Sequence, residues 1–193
     1  WDNAGMLAVF IMLFTALSIT VPNFFSFINM QGLALSVSMV GMVACTMLFC
    51  LASGHFDLSI ESIVAASGVL CAVVINSTGS IFLGVLAALA GGALVGFING
   101  LVIAKFRINA LITTLATMQI VRGLGYIISG GQAVGVKEPA FYALGNAALL
   151  GIPVPVWITI ACFFLFGFIL NNTAFGRNTL AIGGNEEASR LAG

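Results

Sequence analysis

The stretch IFLGVLAALAGGALVGFINGLVI, residues 81–103, decides the fold, because it contains no charged side chain and only one amide. A helix needs about 20 predominantly apolar residues to cross the hydrocarbon core of a bilayer, and this stretch provides them. Lys105 and Arg107 follow directly, so the apolar segment ends where charge begins. Residues 81–103 are therefore predicted to form a transmembrane helix.

The rest of the chain has the same character. It is 61% hydrophobic and 6% charged, whereas soluble domains carry about 25% charged residues. Prolines, glycines and polar clusters divide it into segments of spanning length. The sequence predicts an all-α integral membrane protein, a polytopic bundle forming one transmembrane domain over residues 1–193. It has about six spans, at residues 5–21, 33–51, 58–75, 81–103, 111–129 and 154–170.

The composition gives no support to several classes of site. Net charge is zero, so a nucleic-acid partner is not expected. The four cysteines lie in apolar runs without the spacing of metal ligands, and no metal site is expected. One histidine cannot supply a nucleophile, a base and an orienting group, so no catalytic site is expected. The chain starts at Trp1 and stops at a polar segment, and we expect it to be incomplete at its C-terminus.

Basic residues set the orientation across the membrane. Lys105 and Arg107 lie between the fourth and fifth predicted spans, and Arg177 and Arg190 follow the sixth. Cytoplasmic links are enriched in Lys and Arg, so both positions are predicted to face the cytoplasm. Alternation of the spans then places the links 76–80 and 132–151 together on the outer side.

The fourth span carries a row of small residues. Gly92, Gly96 and Gly100 are spaced by four, so they lie on one face of the predicted helix. Faces of this kind let helices approach closely in membranes. We expect this face to pack against another helix.

Two acids and the only histidine lie between the second and third spans, in His55-Phe56-Asp57-Leu58-Ser59-Ile60-Glu61. Charge at membrane depth is expensive and usually functional. Asp57 is expected to cap the third helix, with Ser59 and Glu61 in its first turn. The alternatives are a role in a substrate path or gate, and a metal or proton site.

The fifth span is the other polar helix. Asn109, Thr113 and Thr117 repeat every four residues and share one face, while Gln119 and Arg122 lie three apart on another. Hydroxyl and amide groups in this arrangement suit weak, passing polar contacts. These five residues are therefore candidates for a substrate path.

Arg122 lies beyond the centre of the bilayer, about 16 Å from the start of the predicted helix. A guanidinium at that depth needs water or a partner. We expect it to snorkel outward, to pair with an acid such as Glu61, or to line the path.

The tail, residues 171–193, is predicted to be a polar cytoplasmic segment that ends in a short helix. Its signals are a Gly183-Gly184 turn, Asn185 as N-cap and Gly193 as the terminating residue. Glu186 and Glu187 occupy the first turn, where acids are favourable.

One face of this tail helix is charged and the other is small. Glu186 is spaced to pair with Arg190, and Ala188, Leu191 and Ala192 form an apolar face too small to anchor it in lipid. A protein partner at the membrane surface is the expected contact. The residues expected to couple to it are Gly184, Asn185, Glu186, Glu187, Ala188, Arg190 and Gly193.

Three segments carry a family resemblance. They are Ala181-Ile182-Gly183-Gly184-Asn185-Glu186-Glu187-Ala188-Ser189-Arg190-Leu191-Ala192-Gly193, Asp57-Leu58-Ser59, and residues 107–118. They resemble, in turn, the cytoplasmic coupling segment, the Gly-Gly-Ile-Asp-Leu-Ser-Val-Gly signature and the Phe-Ile-Ala-Thr-Leu-Gly-Thr-Met segment of permeases in bacterial ABC importers. The likeness is to the branch that handles ribose, xylose, galactose and arabinose. His55 and Glu61 replace two glycines of the signature, and Asn109-Ala110 replaces a proline pair.

The resemblance implies a multi-pass permease subunit of the bacterial inner membrane, which translocates a monosaccharide and is not itself an enzyme. Among these sugars the overall likeness favours L-arabinose. The implied protein partners are a cytoplasmic ABC ATPase, a periplasmic sugar-binding protein and a second permease copy. The lipid bilayer surrounds the permease. No cofactor is expected on this chain, which has no phosphate-binding loop, and ATP and Mg²⁺ are expected on the ATPase.

Two other classes of function stay open at this point. One is a proton-coupled secondary transporter that uses Asp57, Glu61 and His55. The other is a passive channel or membrane scaffold, which would leave the polar tail helix unexplained.

Overall fold

A computed structural model describes residues 2–192 as a bundle of long helices with one small hairpin. The two strands of the hairpin pair antiparallel. In chain order the elements are α1 (Asp2–Thr20), α2 (Phe27–Ala52), α3 (Ile60–Thr78), α4 (Ile81–Phe106), α5 (Ala110–Ser129), α6 (Pro139–Asn146), β1 (Ala148–Leu149), β2 (Ile152–Pro153), α7 (Val154–Asn172), α8 (Ala174–Gly184) and α9 (Glu186–Ala192).

Five helices, α2, α3, α4, α5 and α7, are long and apolar enough to cross a membrane. The first predicted span corresponds to α1, whose described apolar part, Ala4–Thr20, is shorter. The other predicted spans overlap one helix each. The largest difference is the start of α2, because Ser26 caps the helix at Phe27 by accepting a hydrogen bond from the Asn29 amide. The predicted polytopic all-α membrane fold is thus confirmed.

The distribution of side chains is the reverse of that in a soluble protein. Large apolar side chains cover the outside, and Phe164 is 77% exposed. Several of the most buried side chains carry hydroxyls, with Ser59 at 0% exposure and Ser62 and Thr114 at 1%. Lipid offers no hydrogen bonds, so polar groups in such a chain must find partners inside the bundle.

The helices pack in two groups. In the first, α3 packs against α4 and α5, and in the second, α2 packs against α7 and α8. Thr159 of α7 donates a hydrogen bond to the Ser38 carbonyl of α2 at 3.0 Å. The ring of Phe49 contacts the rings of Phe166 and Phe175, with centroids 5.7 and 5.8 Å apart. The first group holds the candidate site, and the second holds the polar tail.

Glycines of α4 make room for α3, but they are not the set that the sequence predicts. A Cβ at Gly84 would collide with the side chain of Ile75, and one at Gly92 would lie 3.4 Å from Ser67 Oγ. Gly96 and Gly100 have no such neighbour among residues 2–192. Of the predicted face, only Gly92 meets α3, because each step of four residues rotates the face by about 40°.

The links between helices lie on two sides, in the grouping that the charge pattern predicts. On one side the Asn76 side chain donates to the Gly135 carbonyl and accepts from the Lys137 amide, both at 2.8 Å. On the other side the links 53–59 and 107–109 meet the tail. The link 132–151, predicted as a loop, contains α6, because Glu138 caps a helix that starts with Pro139.

Candidate functional site

Asp57 lies in the extended segment between α2 and α3 and organises the start of α3. Its Oδ1 accepts hydrogen bonds from the amide and the hydroxyl of Ser59, at 2.8 and 2.5 Å. The helix begins at Ile60, with Ser59 in the N-cap position. The prediction that Asp57 caps this helix is therefore wrong. The Asp57 carboxylate instead closes a turn in the segment before the helix. Of the two residues predicted for the first turn, Ser59 and Glu61, only Glu61 lies there.

Ser59 is joined in turn to α4 and α5. The Asn99 side chain donates to Ser59 Oγ at 2.9 Å, and Thr117 Oγ1 donates to Asn99 Oδ1 at 2.7 Å. Ser59 and Asn99 are buried, at 0% and 4% exposure. We call Asp57, Ser59, Asn99 and Thr117 the α3 polar network. Each member has a partner, as a buried polar network requires.

The α3 polar network lies inside the apolar layer. Asn99 precedes the end of α4 by seven residues, and Thr117 follows the start of α5 by seven, which places both about 10 Å along their helices. The non-helical segment 53–59 therefore extends into the bundle, past the adjacent ends of α4 and α5, to reach Asn99 and Thr117. Non-helical backbone at such a depth is tolerated where protein or water covers it.

Sequence reasoning missed Asn99, although a signal for it was present. It is the one amide in the stretch 81–103, and a lone amide in a spanning helix needs a partner. Its partner Ser59 is 40 residues away, so the pairing depends on how α3 and α4 pack.

Glu61, in the first turn of α3, forms an ion pair with Arg122 of α5. Arg122 Nη2 lies 2.6 Å from Glu61 Oε1, which confirms one of the three alternatives for Arg122. The side chains are 77% exposed for Glu61 and 40% for Arg122. An exposed charged pair in a spanning region has to meet water or another polar surface.

Asn109 and Thr113, at the start of α5, are engaged locally. Asn109 caps the helix, accepting from the amides of Leu111 and Ile112 at 2.9 and 3.4 Å. The Thr113 hydroxyl donates to the Asn109 carbonyl at 3.1 Å, and Gln119 is exposed. Of the predicted polar face, only Thr117 reaches a neighbouring helix. The substrate-path role of these residues stays a prediction.

His55, Asp57 and Glu61 do not form a relay. His55 Nδ1 lies 2.9 Å from the Ser53 carbonyl, while Asp57 contacts Ser59 and Glu61 contacts Arg122. In the part of the chain that the structure describes, no three His, Cys, Asp or Glu side chains gather as a metal site would require. The proton-coupled alternative therefore gains no support.

The tail follows α7 as two helices. Thr173 caps α8, and Asn185 caps α9 as predicted, its Oδ1 accepting from the Ala188 amide at 2.9 Å. Gly183 and Gly184 do not form the predicted turn but end α8, because Gly183 packs against α2. A Cβ at Gly183 would collide with the carbonyl of Ala52.

Charged side chains of α9 are exposed. Arg190 pairs with Glu187 at 2.7 Å. The predicted pair between Glu186 and Arg190 is not formed. Glu186 makes no ion pair within residues 2–192, and Leu191 is 79% exposed. Gly193, the predicted end of the helix, lies outside the described residues.

A cleft of about 1340 Å³ lies between the tail and the two links on its side. Glu186 and Arg190 of α9 face it from the tail, and His55 and Arg107 face it from the links. The tail, the segment leading to the α3 polar network and the start of α5 thus share one surface.

Comparisons with known proteins agree with this architecture. A family model described as "Branched-chain amino acid transport system / permease component" matches residues 29–193. The chain is 65% identical over 193 residues to the L-arabinose transport system permease protein AraH of Escherichia coli (strain K12), covering 100% of this chain and 59% of that protein. It is 50% identical over 192 residues to the L-arabinose ABC transporter permease protein AraH of Azospirillum brasilense, covering 100% of this chain and 57% of that protein.

A third relative has a different sugar in its name. The chain is 35% identical over 187 residues to the Ribose import permease protein RbsC of Haemophilus influenzae, covering 95% of this chain and 58% of that protein. The chain thus spans less than two thirds of the length of these curated relatives. No solved structure matches it. The resemblance inferred from the three sequence segments is confirmed.

Proposed function

Because the chain belongs to the family described as branched-chain amino acid transport system / permease component, we propose that it is the membrane-spanning subunit of an ATP-driven sugar importer. Its substrate is a monosaccharide, and the names of the most similar relatives above favour L-arabinose. The subunit resides in the bacterial inner membrane. It works with a cytoplasmic ABC ATPase, a periplasmic sugar-binding protein and a second permease copy.

The observation that carries this proposal is the close contact between the tail and the segment that enters the membrane. Gly183 of α8 packs on the carbonyl of Ala52, at the end of α2. Gly54, two residues later, approaches the same glycine, since a Cβ there would lie 3.7 Å from Gly183 Cα. A displacement of the tail is therefore passed to the segment 53–59.

That segment leads directly to the polar centre of the bundle. Asp57 holds Ser59, and Ser59 is bonded to Asn99 of α4, which is bonded to Thr117 of α5. The path from the tail to the membrane interior is thus a chain of packed backbone and hydrogen bonds. Such contiguous contacts are the physical means by which one site can bias another.

In this mechanism the ATPase binds ATP and Mg²⁺, and this chain holds neither. Closure of the ATPase around ATP displaces α8 and α9, residues 174–192, of the tail segment 171–193. The permease then changes from a state open to the outer side to one open to the cytoplasm. The ligand-driven change requires the tail to fit the closed and the open ATPase differently.

The contact with the ATPase can be tested by replacing Glu186 and Glu187 with alanine in the full-length permease. Uptake of labelled L-arabinose should be lost in cells that contain the ATPase and the sugar-binding protein, while the amount of permease in the membrane stays normal. Asn171→Ala is the matched control, because Asn171 is exposed at the same side and its amide bonds only the Gly167 carbonyl. Normal uptake by the double variant would refute the coupling role.

The identity of the sugar has its own test. Labelled L-arabinose and D-ribose are offered separately to cells that lack other pentose importers. We expect faster uptake of L-arabinose, with no dependence on a proton gradient once ATP is supplied. Uptake that collapses with an uncoupler at constant ATP would instead support the proton-coupled alternative.

A further inference from the structure

A cleft between α3 and α5 combines three features that no local packing role explains. Its volume is about 590 Å³, within the range of about 300–1,000 Å³ typical of small-molecule sites. Glu61 and Ser62 line it from α3, and Arg122 and Tyr126 line it from α5. Small residues let the two helices approach closely in its wall, since a Cβ at Gly125 would lie 3.6 Å from Ala66 Cβ, in van der Waals contact.

The first feature is the exposure of a charged pair at membrane depth. Arg122 lies twelve residues into α5, or about 18 Å along the helix. Its guanidinium and the Glu61 carboxylate are bonded to each other at 2.6 Å, yet the side chain of Glu61 is 77% exposed. The pair therefore has free hydrogen-bonding capacity on the side that faces the cleft.

The second feature is an unpartnered hydroxyl. Ser62 is 1% exposed, and among the described residues its Oγ is the buried side-chain polar atom without a hydrogen bond. Comparable buried hydroxyls are bonded, for example Ser38 to the Leu35 carbonyl and Thr114 to the Ala110 carbonyl. A buried polar atom without a partner calls for an explanation, and a ligand in the adjoining cleft provides one.

The third feature is a row of polar groups along α5. Arg122, Tyr126 and Ser129 follow at spacings of four and three, so they share the face that lines the cleft. Gln132 continues the row beyond the end of the helix. The wall thus offers donors and acceptors together with an aromatic ring.

We propose that this cleft is a contact site for a neutral polyhydroxylated ligand, a monosaccharide in transit through the permease. Glu61 accepts from one sugar hydroxyl, Arg122 donates to a neighbouring one, and the Ser62 hydroxyl completes the contact. The carboxylate and guanidinium cancel in charge, which favours a neutral ligand over an ion. This inference rests on the proposed function and names the site through which it acts.

The test uses the full-length permease reconstituted with its ATPase and sugar-binding protein in proteoliposomes, with L-arabinose as the probe. Ser62→Ala should lower kcat/KM for uptake roughly two- to tenfold, the effect of losing one neutral hydrogen bond, without changing the melting temperature. Ser38→Ala is the control, because Ser38 is equally buried but its hydroxyl bonds within α2. Equal uptake by wild type and Ser62→Ala would overturn the inference.

A charge exchange separates ligand contact from a structural ion pair. Glu61→Arg combined with Arg122→Glu keeps the pair but reverses its donors and acceptors. We expect each single variant to lower the melting temperature and the double exchange to restore it, while uptake by the double exchange stays low. Full recovery of uptake would overturn the inference. Wild-type proteoliposomes that take up no sugar would refute the proposed function itself, so the two failures are distinguishable.

Discussion

Two polar regions of this apolar chain differ in how their groups are satisfied. The α3 polar network is buried, and each of its side chains bonds to another residue of the chain. The tail helix α9 is exposed, with Glu186 open to the cleft beside the links and Leu191 at 79% exposure. Buried and satisfied groups fix the positions of helices, whereas exposed groups are available for contact with a partner. The comparison therefore separates the part that sets the architecture from the part that we propose meets another protein.

Gly183 joins these two regions, and its replacement should produce the largest effect. A Cβ in Gly183→Ala would collide with the Ala52 carbonyl, and overpacking of this kind costs about 1–3 kcal/mol. If the tail shifts to relieve it, uptake of L-arabinose should fall by about tenfold or more. The measurement is initial uptake rate at equal amounts of permease in the membrane.

Gly167→Ala is the matched control for this prediction. It changes a glycine of α7, the helix that precedes the tail, in the same way, but a Cβ there meets nothing within 4 Å. Its uptake should match that of wild type. Equal losses in both variants would mean that the Gly183 contact does not join the tail to the bundle.

Asn99 is the hub of the α3 polar network, and Asn99→Ala should have the next largest effect. The change removes the acceptor of the Thr117 hydroxyl and the amide donor to Ser59 Oγ, which keeps only its hydrogen bond to Asp57. We expect a loss of about 1–3 kcal/mol in the free energy of unfolding. Thermal unfolding in detergent measures it, with the exposed Asn171→Ala as control. A melting temperature unchanged in Asn99→Ala would show that the network is not needed for stability.

Features that depend on local composition could be predicted from the sequence. The spans follow from long apolar runs, and Asn185 was identified as a cap because it is followed by two glutamates in a polar segment. The grouping of the links also followed, because it requires only alternation of spans and the positions of Lys105 and Arg107.

Contacts between distant helices could not be predicted in the same way. Arg122 and Glu61 are 61 residues apart, so their pairing depends on the rotation and depth of α3 and α5, and it remained one of three alternatives. Gly183-Gly184 gave a wrong prediction for a related reason. Glycine permits both a turn and a close approach of backbones, and only the position of α2 decides between them.

Gly84 extends the comparison to the apolar contact between α3 and α4. In Gly84→Ala the new methyl would press on Ile75 and on the Cys71 carbonyl. The helix propensity of alanine offsets part of this strain, so we expect a net loss of about 1–2 kcal/mol in the free energy of unfolding. Gly68→Ala on α3 has open space around it and should be neutral or slightly stabilising. Equal melting temperatures for the two variants would contradict the packing of Gly84 against α3.

The smallest effect on stability is expected at the tail, from Glu187→Ala. The change breaks the pair with Arg190, but the two side chains are 70% and 59% exposed, so water replaces the lost contact. The melting temperature should therefore stay that of wild type, whereas Ser59→Ala in the α3 polar network should lower it. Uptake should still fall in Glu187→Ala, although less than in the double variant, because the partner surface loses one of two acids. A lower melting temperature with unchanged uptake would reverse the assignment, since the tail pair would then stabilise the fold instead of meeting a partner.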